Sequence, residues 1–408
     1  MKRNFLKGLI PVIAIIFSGN MNAFSQNLKV TIDQPINGTI SLDPQLPADG
    51  TYPSGTIVTV TASPSPGFVL DAGYFSVPGM WGQTYNEYFN SPFLVTVDTE
   101  KHIGASFISK KDIEHVSVTH DIVYAKPGVK TLKYDVYSPK KAKNLPCIII
   151  IHGGGWVSNN EDIMRGLARE LTRGGKFVVF SIDYRWAQKK DGDAVGNTMA
   201  DLLGDVFGAI AHIREHASEY GGNPEIIGLT GDSAGGHLSA AASLMADKIG
   251  DGGFGKNPGV FEFMPSYIPK SKTVSQVRTE LMKSIRAAAP SYGVFGGNLL
   301  NHYSEDPSAN ESWKNAIAPL SNIPDAKVRA VPQYLTRGTN DPLIKDPDVK
   351  VFVDALVKAG QRVEYVQVGA AGHAFFDWKP DERTKSTFMQ LGIYYAAEMK
   401  AFFLSVLY

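Results

Sequence analysis

Between Glu225 and Lys248 the sequence runs from an apolar stretch, Glu225-Ile226-Ile227-Gly228-Leu229-Thr230, through Gly231-Asp232-Ser233-Ala234-Gly235-Gly236 into an alanine-rich helical stretch. That order is strand, sharp turn, helix, the repeating step of a sheet covered by helices. Small residues on both sides of Ser233 permit a turn tight enough to lift its hydroxyl clear of the backbone. The N-terminus of the helix that follows adds partial positive charge beside it. A bare G-x-S-x-G is also an ordinary small-residue turn, so its meaning depends on what else the chain carries.

The same alternation extends over most of the chain. Pro146-Cys147-Ile148-Ile149-Ile150-Ile151 is apolar on both faces. It is followed by a helical pattern over Glu161 to Arg173, a strand over Phe177 to Ile182 and a long helix over Ala200 to Tyr220. Past the Ser233 turn, Arg286 to Ala289 and Gln333 to Thr336 read as strands, Val349 to Ala359 as a helix, Arg362 to Val368 as a strand and Thr384 to Leu404 as a closing helix. Continuous apolar strands separated by helices predict a mostly parallel sheet with helices on both faces, an α/β fold over 113–408. Residues 250–282 break the pattern. They are rich in Gly, Pro and aromatics without clear periodicity, which reads as an insertion, either a lid over the site or a surface loop.

Residues 26–110 differ in kind. Thr56 to Ala62 and Phe93 to Val97 alternate branched or aromatic residues with threonine, and Asn37-Gly38, Ala48-Asp49-Gly50 and Val77-Pro78-Gly79 mark turns. A small all-β module is predicted there. Its aromatics, Trp81, Tyr85, Tyr88 and Phe89, offer either a sugar-stacking face or the module's own core. Lys2, Arg3 and Lys7, the apolar run Gly8 to Phe17 and the ending Ala23-Phe24-Ser25 make residues 1–25 a signal peptide, expected to be cleaved after Ser25. The run is shorter than the roughly 20 residues of a membrane span. Cys147 is the only cysteine, so no intrachain disulfide forms and no cysteine follows the signal to take a lipid. An exported chain is expected, periplasmic or extracellular, with no membrane span in its mature form and no lipoprotein anchor. Lys+Arg and Asp+Glu balance at 40 each, leaving no surplus to hold nucleic acid by charge. Nothing in the sequence decides the oligomeric state.

Three further segments give the Ser233 turn its chemistry. His152-Gly153-Gly154-Gly155-Trp156 follows the buried strand directly, and successive glycines let backbone amides approach a substrate oxygen. Asp341, in Thr339-Asn340-Asp341-Pro342, and His373, in Gly372-His373-Ala374-Phe375, each stand just beyond a predicted strand. An acid and a histidine following a serine in that order fit a triad in which His373 takes the Ser233 proton and Asp341 fixes the imidazole. Taken together, His152 to Trp156, Asp183-Tyr184-Arg185, Gly231 to Gly236, Asp341-Pro342 and Gly372-His373 resemble the α/β-hydrolase superfamily. Within it they are most similar to the secreted bacterial hydrolases of the hormone-sensitive-lipase-like and carbohydrate-esterase-like groups.

The resemblance implies an α/β-hydrolase fold over 113–408 with the β module ahead of it. It also implies oxyanion donors at the amides of Gly154, Ala234 and Gly155, with His152 and Asp183 to Arg185 supporting the loops. The implied activity is cleavage of carboxylic esters through an acyl-enzyme at Ser233, with no cofactor and no metal. The expected substrate is a small ester or an acylated polysaccharide of plant type carrying acetyl or feruloyl groups. Trp156, Trp186 and Phe375 are candidates for lining the substrate pocket, or for packing between helices and sheet. A lipase, a serine peptidase of the same fold and a non-catalytic glycan-binding or adhesion protein are the alternatives. His212-Ile213-Arg214-Glu215-His216 matches the H-x-x-E-H metalloprotease pattern, but no third ligand is evident downstream.

Overall fold

A computed structural model describes residues 26–79, 82–188, 196–250, 263–296, 300 and 311–408. The expected signal peptide 1–25, Trp81 and residues 251–262 of the expected insertion lie outside the described residues. Eight strands build the N-terminal module: β1 Asn27–Ile32, β2 Gly38–Asp43, β3 Thr51–Pro53, β4 Thr56–Pro64, β5 Phe68–Gly79, β6 Gly82–Tyr88, β7 Phe93–Val97 and β8 Lys101–Ser109. They form a five-stranded sheet, β3-β1-β8-β5-β6, and a three-stranded one, β2-β4-β7. The period of two in β4 and β7 sends Val58, Val60, Val95 and Val97 inward, where they meet Val30 and Ile103 in one core. The module's aromatics are largely spent on packing. Tyr88 stacks on Phe93 with centroids 4.7 Å apart, Tyr85 meets Tyr74 edge-on at 5.3 Å, and Phe89 lies flat on His120 at 3.8 Å.

A helical turn, α1 Lys110–Ile113, leads into β9 Val116–Ala125 and β10 Leu132–Pro139, and then into β11 Leu145–Ile151. From there strands and helices alternate: α2 Arg165–Thr172, β12 Val178–Ile182, α3 Met199–His216, β13 Gly222–Asp232 and α4 Ala234–Leu244. The remaining elements are α5 Val274–Ser284, β14 Ile285–Ser291, α6 Glu311–Ile317, β15 Gln333–Gly338, α7 Asp346–Lys358, β16 Val363–Val368, α8 Glu382–Thr387 and α9 Ile393–Leu407. Eight of these strands make one sheet in the order β16-β15-β14-β13-β11-β12-β10-β9. Only β10 runs against its neighbours, β12 and β9, and every other pairing is parallel.

This is the α/β-hydrolase fold preceded by a small all-β module. Cys147 to Ile151 are completely buried, which explains why that strand is apolar on both faces. Helix α3 begins at a capping box in which the Thr198 hydroxyl accepts from the Asp201 amide and the Asp201 carboxylate accepts from the Thr198 amide. The described part of the expected lid, 263–282, belongs to the body of the domain. The Ser266 amide donates to the Gly204 carbonyl at 3.0 Å, Phe263 is buried, and α5 packs on β13.

Module and sheet domain share a buried charge cluster. Asp71 on β5 accepts from Arg169 Nη2 at 2.6 Å, Trp378 Nε1 at 2.9 Å, and Arg165 Nε and Nη2 at 3.3 Å each. Glu87 on β6 lies 2.7 Å from Arg165 Nη2. Both arginines stand on α2, and Trp378 stands five residues past His373. Burial alone would push the Asp71 carboxyl up, but Arg165, Arg169 and the Trp378 hydrogen bond together hold it far below the usual carboxylate range.

Candidate active site

The C-terminal ends of β11, β13, β15 and β16 meet at one edge of the sheet, where β11 is flanked on one side by β12 and on the other by β13. Such a switch in strand order opens a crevice at the strand ends. Ser233 sits between β13 and α4 with φ 53° and ψ −114°, a conformation that costs of order 1–3 kcal/mol in a residue with a side chain. Close approach of strand and helix makes it attainable: a Cβ on Gly235 would lie 1.9 Å from the Ile151 carbonyl oxygen. The Ser233 amide donates to the Ser291 carbonyl at 3.0 Å and fixes the turn to β14.

Ser233 Oγ lies 2.8 Å from His373 Nε2, and His373 Nδ1 lies 2.7 Å from Asp341 Oδ2. With Asp341 accepting at Nδ1, the proton of neutral His373 is on that nitrogen and Nε2 is free to accept from the serine. Asp341 Oδ1 accepts from the amides of Leu343 and Ile344 at 2.8 and 2.9 Å, which makes the turn through Pro342 a cradle for the carboxylate. Burial opposes its charge, yet the His373 hydrogen bond and these amides outweigh burial and hold the Asp341 carboxyl below its ordinary value. Tyr292 packs edge-on against the His373 ring at 4.9 Å, and its hydroxyl accepts from the Phe376 amide.

The glycine loop is fastened at both ends. His152 is buried, stacks on Tyr184 at 4.2 Å and places Nε2 3.2 Å from Asp183 Oδ1, to which Lys130 Nζ also donates at 2.8 Å. Arg185 forms a two-pronged pair with Asp205, at 2.8 and 3.0 Å, so Asp183 to Arg185 supports the loop rather than facing substrate. Gly153 donates its amide to Asp232 Oδ1 at 2.6 Å. Gly154 has φ 122°, and a Cβ there would meet the Ser158 carbonyl oxygen at 2.3 Å, so no other residue fits without moving the loop. Among the described residues no acceptor takes the amides of Gly154, Gly155 or Ala234, which leaves three donors next to Ser233.

These groups open into a cleft of about 390 Å³. Its apolar wall is Trp156, Val294, Leu343, Ile344 and Ala374, and its polar wall includes Asn159, Thr384, Thr387, Lys379 and Arg383. Trp156 is thus in the wall, held by a 3.2 Å hydrogen bond from Nε1 to His237 Nδ1. His237 Nε2 in turn lies 2.9 Å from the Ile317 carbonyl, so this imidazole is neutral, and burial pushes its pKa down to about 4.

The other two expected pocket residues do not line the cleft. Phe375 is completely buried against Tyr292, Phe376 and Tyr395, because the chain turns inward after His373. Trp186 donates Nε1 to the Asn159 carbonyl at 2.9 Å and lies under Lys130 Nζ at 4.4 Å, on the outer side of the loop. No described residue of 250–282 lines the cleft either. His212 and His216 lie on one face of α3, away from the cleft, with His212 Nδ1 3.0 Å from the Tyr134 hydroxyl. Cys147 is buried, and burial pushes its thiol up to about 12.

Sequence reasoning missed Tyr292, Lys379, Arg383 and the partnership of Asp232 with Asp377. Asp232 and Asp377 share a side-chain hydrogen bond inside the cleft, and burial together with the facing carboxyl pushes Asp232 well above the usual range. A carboxylate inside the G-x-S-x-G motif, directly before the serine, was the available signal for half of this pair.

The BD-FAE family model matches residues 134–356, which contain the glycine loop, Ser233 and Asp341. LipM of Mycobacterium tuberculosis is 29% identical over 248 residues, covering 56% of this chain and 49% of LipM. The carboxylesterase NlhH of the same organism is 34% identical over 124 residues, 30% of this chain and 37% of NlhH. The chain thus spans half or less of the length of these curated relatives. A solved structure described as a truncated form of a carbohydrate esterase from gut microbiota superposes with a TM-score of 0.52 at 19% identity. It covers 71% of this chain and 95% of that one, a likeness of fold.

Proposed function

The chain belongs to the BD-FAE family of α/β hydrolases, and on that footing we propose that it hydrolyses carboxylic esters through an acyl-enzyme at Ser233. The observation that carries this reading is the unbroken line Asp341, His373, Ser233 at 2.7 and 2.8 Å beside three free amides. His373 Nε2 takes the hydroxyl proton as Ser233 Oγ attacks the ester carbonyl. The oxygen of the tetrahedral intermediate takes its negative charge into the amides of Gly154, Gly155 and Ala234, at the N-terminus of α4. As the C–O bond breaks, the imidazolium returns the proton to the leaving alcohol. Water then gives a proton to His373, attacks the acyl carbon, and the carboxylic acid leaves as Oγ regains its proton. Asp341 stays ionised throughout and stabilises the imidazolium.

The ester we propose is a short acyl group, acetyl or feruloyl, on a plant-type polysaccharide. The wall of Trp156, Val294, Leu343 and Ile344 suits an acyl group, and the wall of Asn159, Thr384, Thr387, Lys379 and Arg383 suits a hydroxyl-rich alcohol. Export directed by residues 1–25 is part of the same proposal. No helix of the described residues is long and apolar enough to cross a membrane. The test compares acid release from acetylated or feruloylated xylan with hydrolysis of short-chain and long-chain nitrophenyl esters. Labelling of Ser233 by a fluorophosphonate together with acid release from xylan is expected. A preference for long chains with no acid released would turn the substrate toward lipid, and a folded chain that hydrolyses nothing and takes no label would end the ester reading.

A further inference from the structure

Lys379 and Arg383 bring two cationic side chains into the cleft wall. Arg383, Thr384 and Thr387 lie on one face of α8, and all three line the cleft. That helix is set by Asp381, whose carboxylate accepts from the Thr384 amide at 2.8 Å and the Thr384 hydroxyl at 2.9 Å. The other acidic groups around these cations are already engaged. Glu382 pairs with Lys385 at 2.6 Å, and Asp341 is held by His373 and two amides. Asp377 faces Lys379 and is hydrogen-bonded to Asp232, and burial pushes both carboxyls up, away from the ionised form. Among the described residues no carboxylate stands within ion-pair distance of Lys379 or Arg383.

Two cationic residues in the wall of a cleft that also holds the nucleophile suit a carboxylate on the substrate, which a guanidinium can take in a two-pronged bond. Resting on the ester-hydrolase reading above, we propose that the cleft selects acyl esters of acidic sugars, with the uronate carboxylate bound by Lys379 and Arg383. The neutral walls at Asn159, Thr384 and Thr387 are left to contact the sugar hydroxyls. The attraction acts across a cleft open to solvent, so it is screened by salt, and the preference falls as ionic strength rises.

The test uses two substrates that differ only at C6, O-acetylated methyl glucuronoside and O-acetylated methyl glucoside, with the full chain. The wild type is expected to favour the acidic sugar in kcat/KM by roughly tenfold, the scale of a hydrogen bond to a charged group. In Lys379→Gln/Arg383→Gln that ratio is expected to collapse toward one. A second measurement needs no variant: methyl glucuronoside is expected to compete with nitrophenyl acetate at low salt, and methyl glucoside to compete at least several-fold less well. Equal use of the two sugars, with nitrophenyl acetate still hydrolysed, overturns the acidic-sugar proposal and leaves the ester reading standing. A preference for nitrophenyl hydrogen succinate over nitrophenyl butyrate, without sugar discrimination, also overturns it, by moving the carboxylate to the acyl side. Loss of all hydrolysis by the folded wild type overturns both.

Discussion

Replacing Asp71 by asparagine keeps the volume of the side chain and removes its charge, at a point where three donors from the sheet domain converge on the β module. The carboxylate is fully buried and bonded to Arg169 at 2.6 Å, Trp378 at 2.9 Å and Arg165 at 3.3 Å. Without it, Arg165 keeps the carboxylate of Glu87 and the buried Arg169 loses its carboxylate partner. Leaving a buried charge without its partner costs about 3–5 kcal/mol, far above the 0–1 kcal/mol of a surface pair. Urea unfolding followed by tryptophan fluorescence is expected to show a midpoint lower by about 1 M, since the slope for a chain of this length exceeds the roughly 1–3 kcal/mol/M of small proteins. Arg169→Met is expected to cost less in the Asp71→Asn background than in the wild type, because its charge is already unpaired there.

The pH dependence has a fixed sign. The folded carboxyl is held below its unfolded value of about 3.9, so its contribution is present above that value and is lost as pH falls beneath it. Asp71→Asn therefore removes part of the acid-side loss of stability. A midpoint shift worth less than about 1 kcal/mol would refute the view that this cluster fastens the module to the sheet domain.

Ser233→Ala is expected to lower kcat on nitrophenyl acetate by roughly four to six orders of magnitude with an unchanged circular dichroism spectrum, and turnover near wild type would exclude Ser233 as nucleophile. Asp341→Asn, measured in the same assay, is expected to cost roughly 10⁴-fold in kcat through loss of the imidazole tautomer. Gly154→Ala brings a methyl group against the Ser158 carbonyl, and a kcat loss of roughly 10²–10³-fold is expected if the loop amides serve the oxyanion. His237 is neutral when folded, with its pKa near 4 against about 6.5 unfolded, so stability rises with pH between those values. His237→Gln is expected to flatten that slope in unfolding curves measured from pH 4 to 7.

The residues legible in the sequence were those whose neighbours in the chain explain them. Cys147 to Ile151 read as a strand buried on both faces because every residue is apolar, and the structure buries each one. Ser233, Asp341 and His373 were nameable because each ends a strand inside a small-residue turn, and strand ends in a parallel sheet converge at one edge. The same local logic failed at Phe375 and Trp186. Aromatics near a catalytic motif are as able to anchor a loop from behind as to face a ligand, and here the Phe376 amide donates to the Tyr292 hydroxyl and the Trp186 indole donates to the Asn159 carbonyl, which turns them to the back. Within the stretch 250–282, the described residues 263–282 are held to the domain body by the Ser266 amide bond to Gly204 on α3, which no period in the stretch itself encodes.

The Asp71 cluster marks a different boundary of sequence reasoning. Arg165 and Arg169 on α2 are four residues apart and look like the solvated face of an amphipathic helix. In the fold that face is turned toward a strand nearly a hundred positions earlier, where Asp71 takes both arginines and Glu87 takes Arg165 as well. The cost of burying two guanidinium groups is offset only if β5 and β6 are in place, so the sheet domain's α2 surface is incomplete without the module. Trp378 makes that dependence local to the site. Its indole donates to Asp71 while its backbone amide donates to the Ile163 carbonyl, five residues after the histidine whose Nε2 faces Ser233. The β module is therefore bonded, through one side chain, to the segment that carries the general base.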